Sequence, residues 1–150
     1  MNQRGFTLVE VLVALVIFSI GLLGLAGLQS QSIRYTHSAY LRTQATFLAY
    51  DILDRMRVNM TQAKNSTYDM SMSYVPPSAS CVGVGAACSP LDLRNADRYE
   101  WKQSLAALPN GKGSIQTVTA GGQTKWVIDI QWDDPNTPGG KSTLQMSAQL

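Results

Sequence analysis

Residues 4–28, RGFTLVEVLVALVIFSIGLLGLAGL, decide the fold of this chain. From Phe6 to Leu28 the stretch contains one charged residue, Glu10, and no proline. An apolar stretch of about 18 or more residues is long enough to span a bilayer as a helix. A carboxylate inside such a helix costs up to about 2.5–3.5 kcal/mol unless it has a partner. The sequence therefore predicts a membrane-spanning helix in which Glu10 has a specific partner.

The junction between Gly5 and Phe6 offers that partner. If the chain were cut there, Phe6 would carry a new α-ammonium group four residues before Glu10. Residues four apart lie on the same face of a helix. The positive terminus and the carboxylate could therefore meet, within one subunit or between neighbouring subunits.

A short basic leader that ends in glycine, followed by Phe-Thr-Leu-Val-Glu and an apolar helix, resembles the class III signal of type IV pilins. The resemblance implies that a prepilin peptidase cuts after Gly5 and N-methylates Phe6. It also implies that Glu10 docks each incoming subunit against the N-terminus of its neighbour. An ordinary secretory signal has a shorter apolar core and a small-residue cleavage site after it. A plain membrane anchor would leave Glu10 without a role.

Beyond the apolar stretch, the pattern from Gln29 onward is amphipathic and predicts that the helix continues to about Met60. Asp51 and Arg55 stand four apart, as a helical ion pair requires. The apolar positions recur at spacings near three and four: Ile33, Leu41, Ala45, Leu48, Ile52 and Met56.

Three glycines, Gly21, Gly24 and Gly27, interrupt the apolar half of this helix. Each costs about 1 kcal/mol relative to alanine in a helix interior. A close helix–helix contact, a segment that unwinds during assembly, and lipid-facing glycines without consequence are all compatible with the sequence.

The remaining residues predict a small globular head. A polar loop covers residues 64–90, and Ser89 followed by Pro90 is typical of a helix start. An apolar stripe then leads to the breaker Pro109-Asn110-Gly111: Leu91, Leu93, Trp101, Leu105 and Leu108.

After Gly111 the apolar period changes to two, which indicates strands. A run from Ile115 to Val118 precedes the turn Ala120-Gly121-Gly122. Two further runs alternate apolar and polar residues: Trp126, Ile128, Ile130 and Trp132, then Leu144, Met146, Ala148 and Leu150. We expect an α+β type IV pilin fold: leader 1–5, membrane half of the long helix 6–28, amphipathic half 29–60, and head 61–150 with about three antiparallel strands.

Residues 49–57 (AYDILDRMR), residues 105–111 (LAALPNG) and the strands that begin at Gly113 resemble the PilV-type minor pilins, the type IV pilus modification proteins. This resemblance implies a non-enzymatic subunit that helps to initiate pilus assembly in a tip complex. Its implied partners are the prepilin peptidase, other minor pilins, the major pilin and a tip adhesin. The implied location is the inner membrane with the head in the periplasm, and then the pilus, at its tip. A minor pseudopilin of a type II secretion system is the alternative.

Two cysteines, Cys81 and Cys88, lie in a loop rich in glycine and alanine. In a periplasmic protein this spacing favours a local disulfide, worth about 2–3 kcal/mol in the chain-entropy model. A metal pair is the competing interpretation. No histidine or further cysteine lies nearby in the sequence, whereas zinc usually takes four ligands.

The composition does not favour binding to nucleic acid. The chain of 150 residues is only 15% charged, and its formal net charge is +2. A DNA-uptake pilin would need a basic stripe with stacking aromatics. The lysines of the head are instead scattered among acidic residues: Lys102, Lys112, Lys125 and Lys141.

No catalytic pattern, cofactor motif or metal-ligand cluster stands out. His37, the one histidine, is expected to be a surface or packing residue on the long helix. The oxygens of Asp133, Asp134 and Asn136 could bind calcium, but solvated turn residues are the favoured interpretation. Trp101, Trp126 and Trp132 are expected to pack in the core and on the sheet.

Overall fold

The computed structural model describes Gly5, residues 7–81 and residues 88–149. The chain divides into two units, Met1–His37 and Ser38–Leu150. Helix α1, Leu8–Val58, contributes residues to both. We call the second unit the head, so the head includes the final turns of α1 from Ser38 onward.

In the first unit, α1 is long enough and apolar enough to cross a membrane by its length and composition. The helix is continuous through Gly21, Gly24 and Gly27. No neighbouring atom lies within 4 Å of the place where a Cβ would stand on any of these glycines. The predicted apolar helix is therefore confirmed, and in this structure it does not unwind at the glycines.

The head contains an antiparallel sheet of three strands in the order β1-β2-β3: Lys112–Ala120, Gln123–Asp133 and Lys141–Gln149. A two-residue turn, Gly121-Gly122, joins β1 to β2, and φ is +60° and +78° at these glycines. A type I′ turn needs positive φ at both central residues, so glycine is the residue it favours. From Trp126 onward every second residue of β2 is buried, as the alternation predicted: Trp126, Ile128, Ile130 and Trp132. The fold is the α+β architecture that the sequence predicted, with a long N-terminal helix followed by a small antiparallel sheet of three strands.

From Leu41 onward, an apolar stripe of α1 is buried in the same hydrophobic core as the inner face of the sheet. Leu41, Ala45, Ile52 and Met56 are buried as predicted, and Leu48 packs against them while partly exposed. Ile33 is 70% exposed, so its placement in the stripe was wrong. The stripe begins one turn after Ser38, where the head unit itself begins.

Helix α3, Pro90–Ser104, starts as predicted at Ser89. The Ser89 hydroxyl accepts a hydrogen bond from the backbone N–H of Asp92, and the Asp92 carboxylate accepts one from the Ser89 N–H, which together form a capping box. Leu91, which was expected in the apolar stripe, lies in the first turn of the helix and is 49% exposed. The buried residues of the helix are Ala96, Asp97 and Trp101.

Short elements connect the helices and strands of the head. Helix α2, Met60–Lys64, follows α1 after Asn59, so the long helix ends two residues before the predicted boundary. Within the predicted loop, Met70 forms an isolated antiparallel bridge with Ile115 of β1. A 3₁₀ turn, Leu105–Ala107, extends α3 toward Pro109.

Candidate functional site: the N-terminal signal and the head

Thr7 lies directly before α1 and caps its N-terminus, next to Glu10 in the first turn. The Thr7 hydroxyl accepts a hydrogen bond from the backbone N–H of Glu10 at 3.3 Å, and the Thr7 carbonyl accepts from Glu10 and Val11 at 3.1 and 3.3 Å. Glu10 is thus the third residue of the helix, in the first turn, where the helix dipole favours a carboxylate. Sequence reasoning overlooked this cap, although the spacing Thr7-x-x-Glu10 is the pattern of a capping box.

The Glu10 side chain is exposed and borders an apolar groove along one face of α1. The groove is lined by residues spaced as one helix face requires: Val11, Ala14, Leu15 and Phe18. Gly5 is also exposed. Phe6, the residue expected to be methylated, lies outside the described residues. The structure therefore places Glu10 as an accessible carboxylate on an apolar surface, which is the arrangement that a charged partner would complete.

The comparison with known families decides what this end of the chain is. Residues 1–26 match the family model of the prokaryotic N-terminal methylation motif. These residues are a type IV pilin-like class III signal. The motif supports a type IV pilin-like protein, of a pilus or a pseudopilus, and implies processing by prepilin peptidase and assembly with other pilins. Neither the curated proteins nor the solved structures gave a match.

Together with the long apolar helix, the signal indicates that the pilin-like protein is anchored in a membrane.

The predicted disulfide of the head is present. Cys81 and Cys88 form a disulfide, with their Cα atoms 6.0 Å apart. This distance lies within the range that a disulfide spans.

A buried polar network joins the end of α1 to α3. The Tyr68 hydroxyl donates to Oδ2 of Asp97 at 2.6 Å and accepts from Nδ2 of Asn59 at 3.2 Å. Arg55 donates to Oε2 of Glu100 at 2.7 Å and lies 3.4 Å from Oδ1 of Asp97. All but Arg55 and Glu100 are buried, so these groups satisfy one another away from water.

Burial shifts the protonation equilibria in this network. The pKa of Tyr68 is raised by burial and by the hydrogen bond to Asp97, which favours the neutral phenol. Burial likewise raises the pKa of Asp97, and its bonds with Tyr68 and Arg55 offset that rise only in part. The predicted pair of Asp51 and Arg55 is present, with Nε 3.1 Å from Oδ2. The wider network was not predicted, because its hydrogen-bond partners are up to 45 residues apart in the chain.

Lys102 connects the segment at Ser71 and Met72 to strand β1 by hydrogen bonds. Its ammonium group donates to three backbone carbonyls, those of Gly113 at 2.6 Å, Ser71 at 3.0 Å and Met72 at 3.1 Å. Burial and the nearby Arg98 lower the pKa of Lys102 to about 8, while the carbonyls favour its charged form. The lysine therefore has a structural role, since its ammonium group holds three backbone carbonyls together.

The loop after Trp132 differs from the favoured prediction. Asp134 is 2% exposed rather than solvated, because its carboxylate accepts from the Ser38 hydroxyl at 2.9 Å and from the Asn136 backbone N–H at 3.0 Å. Asp133 is half-buried and accepts from Nδ2 of Asn110 at 2.5 Å. Across the described residues, no group of three His, Cys, Asp or Glu side chains is placed to hold a metal ion.

The other candidate residues have packing roles or lie at the surface. His37 is exposed on α1. Trp101 and Trp126 are fully buried, and their indole N–H groups donate to the carbonyls of Leu48 at 2.8 Å and Ala63 at 3.1 Å. Trp132 is also buried, and its indole nitrogen has no acceptor among the described residues. The prediction that the tryptophans form the core is confirmed.

Proposed function

We propose that the chain is a minor pilin of PilV type, a structural subunit that helps to initiate assembly of a type IV pilus and lies in its tip complex. Prepilin peptidase would cut between Gly5 and Phe6 and methylate Phe6. The subunit would wait in the inner membrane, with its head in the periplasm, until Glu10 pairs with the N-terminus of another pilin. Other minor pilins, the major pilin and a tip adhesin would be its partners.

The observation that carries this proposal is the lone carboxylate of Glu10 on an exposed apolar face. An unpaired charge at this place is costly in a membrane, and a neighbour's α-ammonium group would neutralise it. Glu10 lies in the first turn, held there by the Thr7 cap, so its position relative to the start of the helix is fixed.

A second observation supports contact with other subunits. In the head, α1 leaves three aromatic side chains 50–64% exposed: Tyr40, Phe47 and Tyr50. They recur at spacings of seven and three, which places them on one side of the helix. Exposed aromatic residues of this kind are enriched at protein interfaces.

The proposal is tested with Glu10→Gln in cells that assemble pili. We expect the variant to insert in the membrane and to be processed to a chain that starts at N-methylated Phe6, as intact mass would report. We expect its amount in sheared pili to fall strongly, because the amide cannot form the ion pair. Asp54→Asn, which removes an exposed carboxylate of the head, is the matched control. Wild-type incorporation of Glu10→Gln would refute the docking mechanism.

A deletion strain separates the pilus from the alternative, a pseudopilin of type II secretion, which shares the same signal. Loss of surface pili with normal enzyme secretion supports the proposal. Loss of secreted enzymes with normal piliation would replace it with the pseudopilin.

A further inference from the structure

The turn between β1 and β2 fixes which backbone groups point out of the sheet. In a two-residue hairpin the residues that flank the turn, here Ala120 and Gln123, form a hydrogen-bonded pair. Hydrogen-bonded and non-bonded pairs then alternate along antiparallel strands. On β2 the even-numbered residues therefore bond to β3, starting with Trp126, which pairs with Ala148. On β3 the odd-numbered residues direct their N–H and C=O groups away from the sheet.

The same alternation of bonded and non-bonded pairs can be checked at the outer edge of β1. It predicts that odd-numbered residues of β1 point outward, and Ile115 does exchange both backbone hydrogen bonds with Met70, at 2.9 and 3.0 Å. The carbonyl of Gly113 accepts from Lys102. The outer edge of β1 is thus covered by a chain segment at Met70 and by the half-buried ammonium group of Lys102.

The outer edge of β3 has no such cover among the described residues. The residues with outward backbone groups are all exposed: Lys141, Thr143, Gln145, Ser147 and Gln149. Proteins usually protect a free edge with prolines, bulges or several charges, whereas β3 has one charged residue, Lys141, and no proline. A regular edge with both donors and acceptors free is complementary to another β-strand.

We propose that the edge of β3 pairs with the β3 edge of a second copy of this chain, in an antiparallel arrangement with a two-fold axis at Gln145. This register overlaps the whole strand, and it pairs Thr143 with Ser147 and Lys141 with Gln149. No like charges face each other. Five pairs would contribute about ten interchain hydrogen bonds. On the other face the partly buried Leu144 would meet Met146, which continues the apolar surface of the sheet.

Cysteine pairing in the full-length chain in detergent micelles tests this register. Gln145→Cys lies on the axis, so mild oxidation should give a disulfide-linked dimer, since paired Cα atoms would be about 5.5 Å apart. Thr143→Cys alone should give about tenfold less dimer, because its copies exceed the roughly 7 Å limit. Mixing Thr143→Cys with Ser147→Cys should restore the dimer. Gln116→Cys, on the same exposed face but on β1, is the control.

A second measurement follows association without cysteines, by sedimentation of the wild-type chain over a range of concentrations. Ser147→Pro removes an outward N–H and leaves the bonds to β2, so we expect it to abolish the dimer while the melting temperature changes little. Thr143→Lys, which adds a charge at the edge, should do the same. A monomeric wild type, a dimer that survives both variants, or equal cross-linking at all four positions would each overturn the proposal. These outcomes do not depend on the role in pilus assembly.

Discussion

Replacing Tyr68 with phenylalanine tests the buried network between α1 and α3 most directly. The hydroxyl is the closest donor to the Asp97 carboxylate, at 2.6 Å, and Asp97 is 5% exposed. Water therefore has little access to replace the lost bond. Hydrogen bonds to charged groups contribute about 1.5–3 kcal/mol, and an unsatisfied buried acceptor adds to the loss. For Tyr68→Phe we expect the free energy of unfolding of the head to fall by about 1.5–3 kcal/mol.

The same substitution changes how stability depends on pH. The pKa of Tyr68 is raised in the folded protein, so above its unfolded value of about 10 the unfolded chain loses the phenolic proton first. Stability from this group is complete below pH 10 and is then lost by up to about 1.4 kcal/mol per pH unit as the pH rises. Tyr68→Phe removes this slope. The difference between wild type and variant should therefore shrink above pH 10.

Intrinsic fluorescence in detergent micelles measures both effects, since all three tryptophans of the chain are buried in the head. Urea unfolding would be followed at pH 7 and at intervals from pH 9 to 11. Tyr50→Phe, which changes a half-exposed ring in the same unit, should alter stability by less than about 0.5 kcal/mol. Equal stability of Tyr68→Phe and wild type at pH 7, or a difference that stays constant up to pH 11, would refute the reasoning.

Three further changes should be informative in the same assay. Arg55→Met leaves Asp97 without its cation and should cost about 1.5–3 kcal/mol, whereas Arg57→Met breaks an exposed pair and should cost less than about 1 kcal/mol; equal losses would contradict the network. Gly113→Ala places a Cβ against the ring of Trp101 and should cost about 1–3 kcal/mol by overpacking; an unchanged urea midpoint would show that the ring moves aside. Reduction of the Cys81–Cys88 disulfide should lower stability by about 2–3 kcal/mol in the chain-entropy model, and a larger loss would mean that the bond also holds native contacts.

The elements that the sequence predicted correctly are those with a local cause. The alternation from Trp126 to Trp132 follows from the two-residue period of a strand, and the start of α3 follows from Ser89 and Pro90. The glycine pair of the β1–β2 turn is likewise determined by local φ preferences. Each of these signals lies within a few residues of the feature that it produces.

Features that depend on residues distant in the sequence were either not predicted or predicted wrongly. Nothing in the sequence near Asp97 indicates that Tyr68 donates to it, because the two are 29 residues apart. Asp134 was expected to be solvated beside two prolines, and its burial depends on Ser38, 96 residues earlier. The signal residues were predicted from their own pattern, and the methylation motif at residues 1–26 supports that pattern.

The order of elements along the chain has a consequence for biosynthesis. The residues of α1 that form one side of the core, such as Ile52 and Met56, are made before any strand that covers them. The strands are made in the order β1, β2, β3, so β2 has its second neighbour in the sheet only when β3 has been made. While the chain is being made, the apolar stripe of α1 therefore stays uncovered until the strands have been synthesised. A chaperone that shields amphipathic helices would protect the chain during that interval.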